Sequence, residues 1–236
     1  MDNGFSPLCD MVFQTGKRSS GTASFARITG PYVLVVFYGA NAAAIQTKRR
    51  KNDVGKWYLK GSLMIRKLMR KEFDSVFQML ETSFPKDEYR TYEEQKALLG
   101  DSAYEVYVLP DSDDHTIKAF IAVWEFDSFA FIDHFAVNPK HRGQGVGGEF
   151  LRETVRMLGK MVCLEVEPPD NETASRRISF YERSNFFLNK YPYTLPPISA
   201  GRNPVPLLIM TYGRYISEME FSQIEEELFT RVYKRS

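Results

Sequence analysis

Residues 64–236 of this chain predict a mixed α/β fold, a mostly antiparallel central sheet flanked by helices. Three observations carry that prediction. Segments with helical and strand periodicity follow one another in the order β-α-α-β-β-β-α-β-α-β-β-α. Three strands come in close succession, two of them joined by a turn of only two residues. A hydrophobic content of 43% and an aromatic content of 14% supply ample material for a core.

The elements justify themselves in order. Met64 to Leu68 alternates enough for a first strand. Glu72 to Ser83 places Phe73, Val76, Phe77 and Leu80 on one helical face, and Pro85 ends it. A second helix is expected from Thr91 to Leu99, closed by Gly100. Tyr104 to Leu109 reads as a strand, and residues 110–115, including His115, as a turn. Ile117 to Phe126 and Phe129 to Val137 are two strands joined at Asp127-Ser128. A helix follows to about Leu158, with Gly159 as its C-terminal cap. Met161 to Val166 is the near-continuous apolar run of a strand covered on both faces. Thr173 to Ser184 is a helix, and Asn185 sits where a left-handed cap residue is wanted. Phe186 to Tyr193 and Pro206 to Tyr212 are the last strands, and Ile216 to Tyr233 is a terminal helix with Phe221, Ile224, Leu228 and Val232 on one face.

The first 63 residues differ from the rest. They hold nine Lys/Arg and three Asp but no Glu, whereas residues 64–236 hold 22 basic and 27 acidic side chains. The overall net charge is +1, which argues against a dedicated nucleic-acid binder. Three readings compete for residues 1–63. The apolar run Tyr32 to Tyr38 before Ala40-Asn-Ala42 has features of a signal-peptide core, but its leading segment is too long. Lys48-Arg-Arg-Lys51 suits a disordered basic arm. The natural start can also lie at Met64, since Lys60-Gly-Ser62 is encodable as a purine-rich ribosome-binding sequence. The domain division expected is therefore a basic extension over 1–63, disordered or non-native, before a folded domain over 64–236. Two cysteines, Cys9 and Cys163, make neither a zinc site nor a disulfide framework, so no metal is expected and the cytoplasm is the default location. No segment is long enough to span a membrane.

The stretch Val137-Asn-Pro-Lys-His-Arg-Gly-Gln-Gly-Val-Gly-Gly-Glu-Phe-Leu151 carries the chemistry. Gly143, Gly145, Gly147 and Gly148 let backbone N–H groups crowd an anion, and the following helix start adds partial positive charge. The spacing formally satisfies the dinucleotide pattern G-x-G-x-x-G. Context counts against that: Asn138-Pro-Lys-His141 intervenes between strand and glycines, and too little chain remains for a second mononucleotide-binding half. No Gly-Lys-Ser/Thr closes the run, so it is not a Walker A loop.

Arg142-Gly-Gln-Gly145-Val-Gly147 instead fits the template Arg/Gln-x-x-Gly-x-Gly/Ala between strand and helix. Here the chain resembles the GNAT superfamily of acyl-CoA-dependent N-acyltransferases. Phe131 to Pro139 is similar to that family's fourth strand, the β-α-α-β-β-β order matches, and Ile178-Ser-Phe-Tyr-Glu-Arg-Ser-Asn-Phe186 is similar to its Leu-Tyr-x-x-x-Gly-Phe helical motif. Asn185 stands where the motif has Gly; Asn171-x-x-Ala174 is similar to the family's Asn-x-x-Ala, but Tyr181 follows three residues later than usual.

The resemblance implies acetyl-CoA as co-substrate. Its pyrophosphate is expected on the N–H groups of Arg142, Gly143, Gln144, Gly145, Val146 and Gly147, and its pantetheine arm along the edge of Phe135, Ala136 and Val137. It further implies Tyr181 as the acid that protonates the leaving thiolate, against the alternative of a half-buried aromatic. Asp133 is the expected base or amine site, against a structural hydrogen-bonding role. By alternation His134 faces away from Asp133 and reads as a core residue. Glu167 is a candidate proton relay, and Lys140 meets either phosphate or solvent. Acceptor recognition falls to Phe84–Glu94 and Tyr191–Val205, with Glu88, Glu93 and Glu94 suited to a cation. The function expected is acetyl transfer to a primary amine, small molecule or peptide, by direct attack; a homodimer is compatible with it. The alternative is a catalytically inactive acyl-CoA sensor or interaction module.

Overall fold

The computed structural model describes residues 12–16, 23–27, 35–37, 58–60, 63–111 and 116–234. By its contacts the chain divides into two compact units, residues 1–54 and 55–236. In the first unit, β1 (Val12–Gly16), β2 (Ala23–Arg27) and β3 (Val35–Phe37) form an antiparallel sheet in that order. The basic run at 48–51, the start of the apolar run at 32–34, Cys9 and His115 lie outside the described residues.

The second unit is built on a nine-stranded sheet. Its strands are β4 (Tyr58–Lys60), β5 (Leu63–Lys67), β6 (Tyr104–Pro110), β7 (Ile117–Glu125), β8 (Phe129–Val137), β9 (Met161–Val166), β10 (Phe186–Leu188), β11 (Tyr193–Leu195) and β12 (Val205–Tyr212). The order is β10-β12-β9-β8-β7-β6-β5-β4, with β11 also on β12. Every pairing in this sheet is antiparallel except β8 with β9, whose parallel register requires a crossover connection, here a helix. That helix is α3 (Val146–Leu158), which ends on Gly159 in the left-handed region at φ 65°.

Helices α1 (Phe73–Ser83), α2 (Tyr92–Ala97) and α5 (Glu218–Glu227) cover one face, and α3 and α4 (Glu172–Glu182) the other. The first face buries Phe73, Leu80, Phe120, Trp124, Phe131, Ile224 and Leu228 together. The second buries Ile121, Phe150, Leu151, Leu164, Ile178 and Met210. Covered on both sides, β7, β8 and β9 carry almost uninterrupted apolar sequence.

The expected elements return with three differences. The strand expected over 186–193 is split into β10 and β11 after Asn189, whose backbone N–H still donates to Ile209 O while its side chain adds further bonds. Its amide donates to Ile209 O and Thr211 Oγ1, and its oxygen accepts from Ile216 N. The terminal helix does not stay α-helical: after α5, Leu228–Val232 forms a π-helical turn. The helix expected at 91–99 finishes as a 3-10 turn over Leu98–Gly100.

Asn185 adopts φ 68°, and its carbonyl accepts from Gly213 N at 2.8 Å, so α4 is joined to β10 through a left-handed residue. Asn185→Gly should therefore keep or raise the urea midpoint, whereas Asn185→Ala should cost about 1 kcal/mol in equilibrium unfolding. Equal stability of the two variants would contradict this account of the cap.

Candidate active site

A β-bulge sets the site. Ala122 of β7 pairs with His134 and Val123 with Ile132, so Asp133 has no partner across the β7–β8 ladder. The inserted residue breaks the period-2 alternation. Phe129 and Phe131 pack on the α1 face, but beyond the bulge Phe135 and Val137 pack on the α3 face. Asp133 and His134 consequently lie side by side instead of opposed, which overturns the alternation expected from sequence.

The β8–β9 ladder stops at the same place. Its last pair is Ile132 with Leu164. From there the strands diverge, and a cavity of about 270 Å³ opens between them. Phe135, Ala136 and Val137 line it, paired with β7 on one edge and open on the other. Glu88, Asp133, Glu165, Glu167 and Tyr181 also line it, as does Tyr233 from the C-terminal turn.

The glycine loop sits at the end of this open edge. Gly143 and Gly145 adopt φ 75° and 77°, a backbone that side-chain-bearing residues resist. Gly145 is the N-cap of α3, so the N–H groups of the first turn of the helix lack intrahelical carbonyl partners. A Cβ on Gly147 would lie 2.9 Å from Val137 Cγ2, so only glycine lets the helix approach the strand this closely. Arg142 spans the junction, its Nε donating to Val137 O at 2.9 Å and its Nη2 lying 3.4 Å from Ser83 Oγ. Gln144 donates to Lys140 O, Val146 is half-buried against the second core, and Lys140 is exposed. His141 lies 3.5 Å from Asp111, away from the open edge. Asn171 caps α4 by accepting from Ala174 N at 2.9 Å.

Burial dominates the electrostatics. Asp133 is 3.3 Å from Arg90 Nη1 and 3.4 Å from His134 Nδ1. Burial alone would raise its carboxyl, yet His134 and Arg90 hold it down at about 2. A carboxylate with so little proton affinity, already neutralised by Arg90, is unsuited to act as a base near neutral pH. The pairing matches the structural alternative for Asp133, a buried counter-ion of Arg90 at the bulge. His134 is disfavoured as a cation by burial but raised overall by Asp133 and by Glu88 O, 3.0 Å from its Nε2.

Two other carboxyls move the opposite way. Burial pushes Glu165 up to about 7, against the hydroxyls of Tyr193 and Tyr233. Burial, then Glu167, pushes Glu88 up to about 7 as well. Glu167 itself pairs with Arg177 at 2.6 Å. Tyr181 is raised to about 12, chiefly by burial, so its phenol stays protonated and able to donate. Of the residues singled out for acceptor recognition, Glu94 is occupied structurally: it accepts from Ser199 Oγ at 2.5 Å and caps α2. With Asp87 on Asn203 and Arg202 over the Tyr89 ring, this ties residues 84–94 to the loop before β12. Sequence reasoning missed Arg90 and Tyr233, since neither a buried arginine nor a π-turn leaves a periodic signature.

Fold and site together define an α/β protein with a glycine-rich loop and a helix N-terminus beside an open strand edge. The family model described as "Acetyltransferase (GNAT) family" matches residues 66–186. A solved structure described as "Putative acetyltransferase from GNAT family from Bacteroides thetaiotaomicron" is 31% identical, covers 73% of this chain and 99% of that chain, and superposes with a TM-score of 0.65. The chain belongs to the GNAT acetyltransferase family. A curated relative from Bacillus subtilis (strain 168), "Putative acetyltransferase YjbC", is 34% identical over 112 residues, 47% of this chain and 55% of that protein. The match thus spans about half the length of that relative. The structure of Arabidopsis thaliana NAA60 in complex with acetyl-CoA shares the fold at 14% identity, covering 64% of this chain and 98% of that one, with a TM-score of 0.50. Among the described residues no helix is long and apolar enough to cross a membrane, and no cluster of metal-ligating side chains occurs.

Removing Arg90 should be costly because it strands a buried carboxylate. Arg90→Met is expected to lose about 3–5 kcal/mol of stability in urea unfolding, and adding Asp133→Asn should recover much of it. The pH dependence follows from the depressed carboxyl. The stability Asp133 contributes is complete above its unfolded value of 3.8 and is lost as pH falls toward about 2. An additive double mutant would contradict the pairing.

Proposed function

We propose that the chain transfers an acyl group, acetyl in the first instance, from a CoA thioester to a primary amine by direct attack. The observation that carries this reading is the coincidence of the Asp133 bulge with the end of β8–β9 pairing. It supports a role for the backbone of Phe135, Ala136 and Val137 in taking up an extended, amide-bearing arm by strand-like hydrogen bonding. The cradle fits the other end of the same donor: residues 142–147 present N–H groups and a helix start to a pyrophosphate, and Arg142 adds charge and fixes the loop. Acetyl-CoA is the ligand of the Arabidopsis protein of the same fold.

For the acceptor, we assign Glu165 the first proton. It lines the cavity, and a carboxyl near 7 is matched to withdrawing a proton close to neutral pH. The N–H bond breaks, the freed lone pair forms the bond to the acyl carbon, and the carbon–sulfur bond breaks. Tyr181 supplies a proton to the departing sulfur, and the second proton lost by nitrogen replaces it. Glu88, which lines the cavity, favours a cationic acceptor when it is ionised. In the family, both small amines and protein amines fit this chemistry, and the acceptor here is a primary amine of either kind.

Two measurements test the reading. In calorimetry acetyl-CoA should bind the wild-type chain, and Gly145→Val should weaken it roughly 10-fold or more while circular dichroism stays unchanged, because valine resists φ near 77°. Tighter binding of NADH than of acetyl-CoA would reverse the donor assignment. In a thiol-release assay with an alkyl diamine, an aromatic amine and a lysine peptide as acceptors, Tyr181→Phe should lower kcat roughly 100-fold. Unchanged turnover across pH would remove the acid role, and no turnover with any amine would favour the sensor reading.

A further inference from the structure

The end of the chain reaches the cavity by a route that the family model, which stops at residue 186, does not include. Leu228–Val232 is a π-helical turn, closed by Tyr233 N donating to Leu228 O at 2.9 Å. One residue more per turn than an α-helix rotates Tyr233 by about 100° from the direction a regular helix would give it. The turn is anchored on three sides. Leu228 and Val232 are buried in the core, Arg90 Nη2 donates to Val232 O at 3.0 Å, and Phe229 stacks on Tyr193 with centroids 5.8 Å apart and an interplanar angle of 11°.

Held this way, the Tyr233 hydroxyl points at one carboxyl. It lies 2.8 Å from Glu165 Oε1 and 2.9 Å from Oε2. We infer that Tyr233 is a positioning residue for acyl transfer, its hydroxyl orienting the Glu165 carboxylate that receives the amine proton. The inference rests on the assignment of Glu165 as proton acceptor. Its consequence is that the C-terminal turn contributes, through the Tyr233 hydroxyl, to when that carboxylate is available.

The groups facing Glu165 are Tyr193 from β11, Tyr233 from the terminal turn, Asp133 and His134 from β8, and Cys163 on its own strand. Among these the phenols and His134 favour the ionised form and Asp133 opposes it. Tyr233 is itself raised well above its usual value by burial, so its hydroxyl remains a donor throughout the working range. Removing that donor must raise the proton affinity of Glu165, and strengthening it must lower it.

The test uses the full chain and two readouts. One is the titration midpoint of Glu165 by NMR with 13C-labelled glutamate, its signal identified by its loss in Glu165→Gln. The other is the acid limb of kcat/KM for acetyl-CoA, with the panel amine that is turned over fastest. Tyr233→Phe should move both upward by about one pH unit, with little change in KM for acetyl-CoA. Tyr233 replaced by 3-fluorotyrosine, a stronger donor of nearly the same size, should move both downward. A merely structural tyrosine would lower the melting temperature and leave the limb in place. If neither replacement moves midpoint or limb while Glu165→Gln abolishes turnover, the positioning role is overturned and the base assignment stands. If Glu165→Gln turns over like wild type, the base assignment itself is overturned, and the role of Tyr233 falls with it.

Discussion

The pairing of Arg90 with Asp133 on a β-bulge is the constraint on which the rest of the site depends. A bulge in the middle of a nine-stranded sheet leaves one residue without a ladder partner, and here that residue is a buried carboxylate. An unpaired buried charge would be prohibitive. Arg90 meets the charge, and the same guanidinium holds the Val232 carbonyl. One side chain from the segment between α1 and α2 therefore stabilises the bulge and anchors the C-terminal turn.

What the bulge does for the sheet follows from geometry. It re-aims β8, so the strand stops pairing with β9 at the point where the extra residue enters. The edge that is released runs into the glycine loop, which has two left-handed residues and a close helix–strand contact at Gly147. The divergence also exposes the carboxyl of Glu165 to the cavity, where burial keeps its proton affinity near neutrality. In the proposed function, donor uptake and proton withdrawal thus share one structural cause. The two roles differ in what they ask of the chain: the first uses backbone and tolerates side-chain change except at glycine, and the second depends on individual hydroxyl and carboxyl groups.

Much of the architecture is legible in sequence because burial writes periodicity into it. The α1 face over Phe73, Val76, Phe77 and Leu80, the continuous run of β9, the cap at Gly159 and the left-handed Asn185 all follow from local rules. The glycine loop is legible for the same reason, as its residues answer to backbone conformation. What period-2 reasoning misses is the bulge, since an inserted residue leaves no mark in the string Phe131-Ile-Asp-His-Phe. The consequence reaches the site: alternation sets His134 facing away from Asp133, whereas the bulge brings the two together and a long-range partner, Arg90 at a separation of 43 residues, holds the carboxylate. Tyr233 escapes notice likewise, because the π-turn that aims it depends on tertiary anchoring and not on local propensity.

In the proposed function, the bulge opens a strand edge whose backbone, together with the glycine loop, receives the acyl donor. Residue-resolved amide hydrogen exchange with and without acetyl-CoA measures this directly. Acetyl-CoA should slow exchange within residues 135–137 and 142–148, and CoA lacking the acetyl group should protect the same amides. Protection confined to other parts of the sheet, or none within these two stretches at saturating acetyl-CoA, would contradict it.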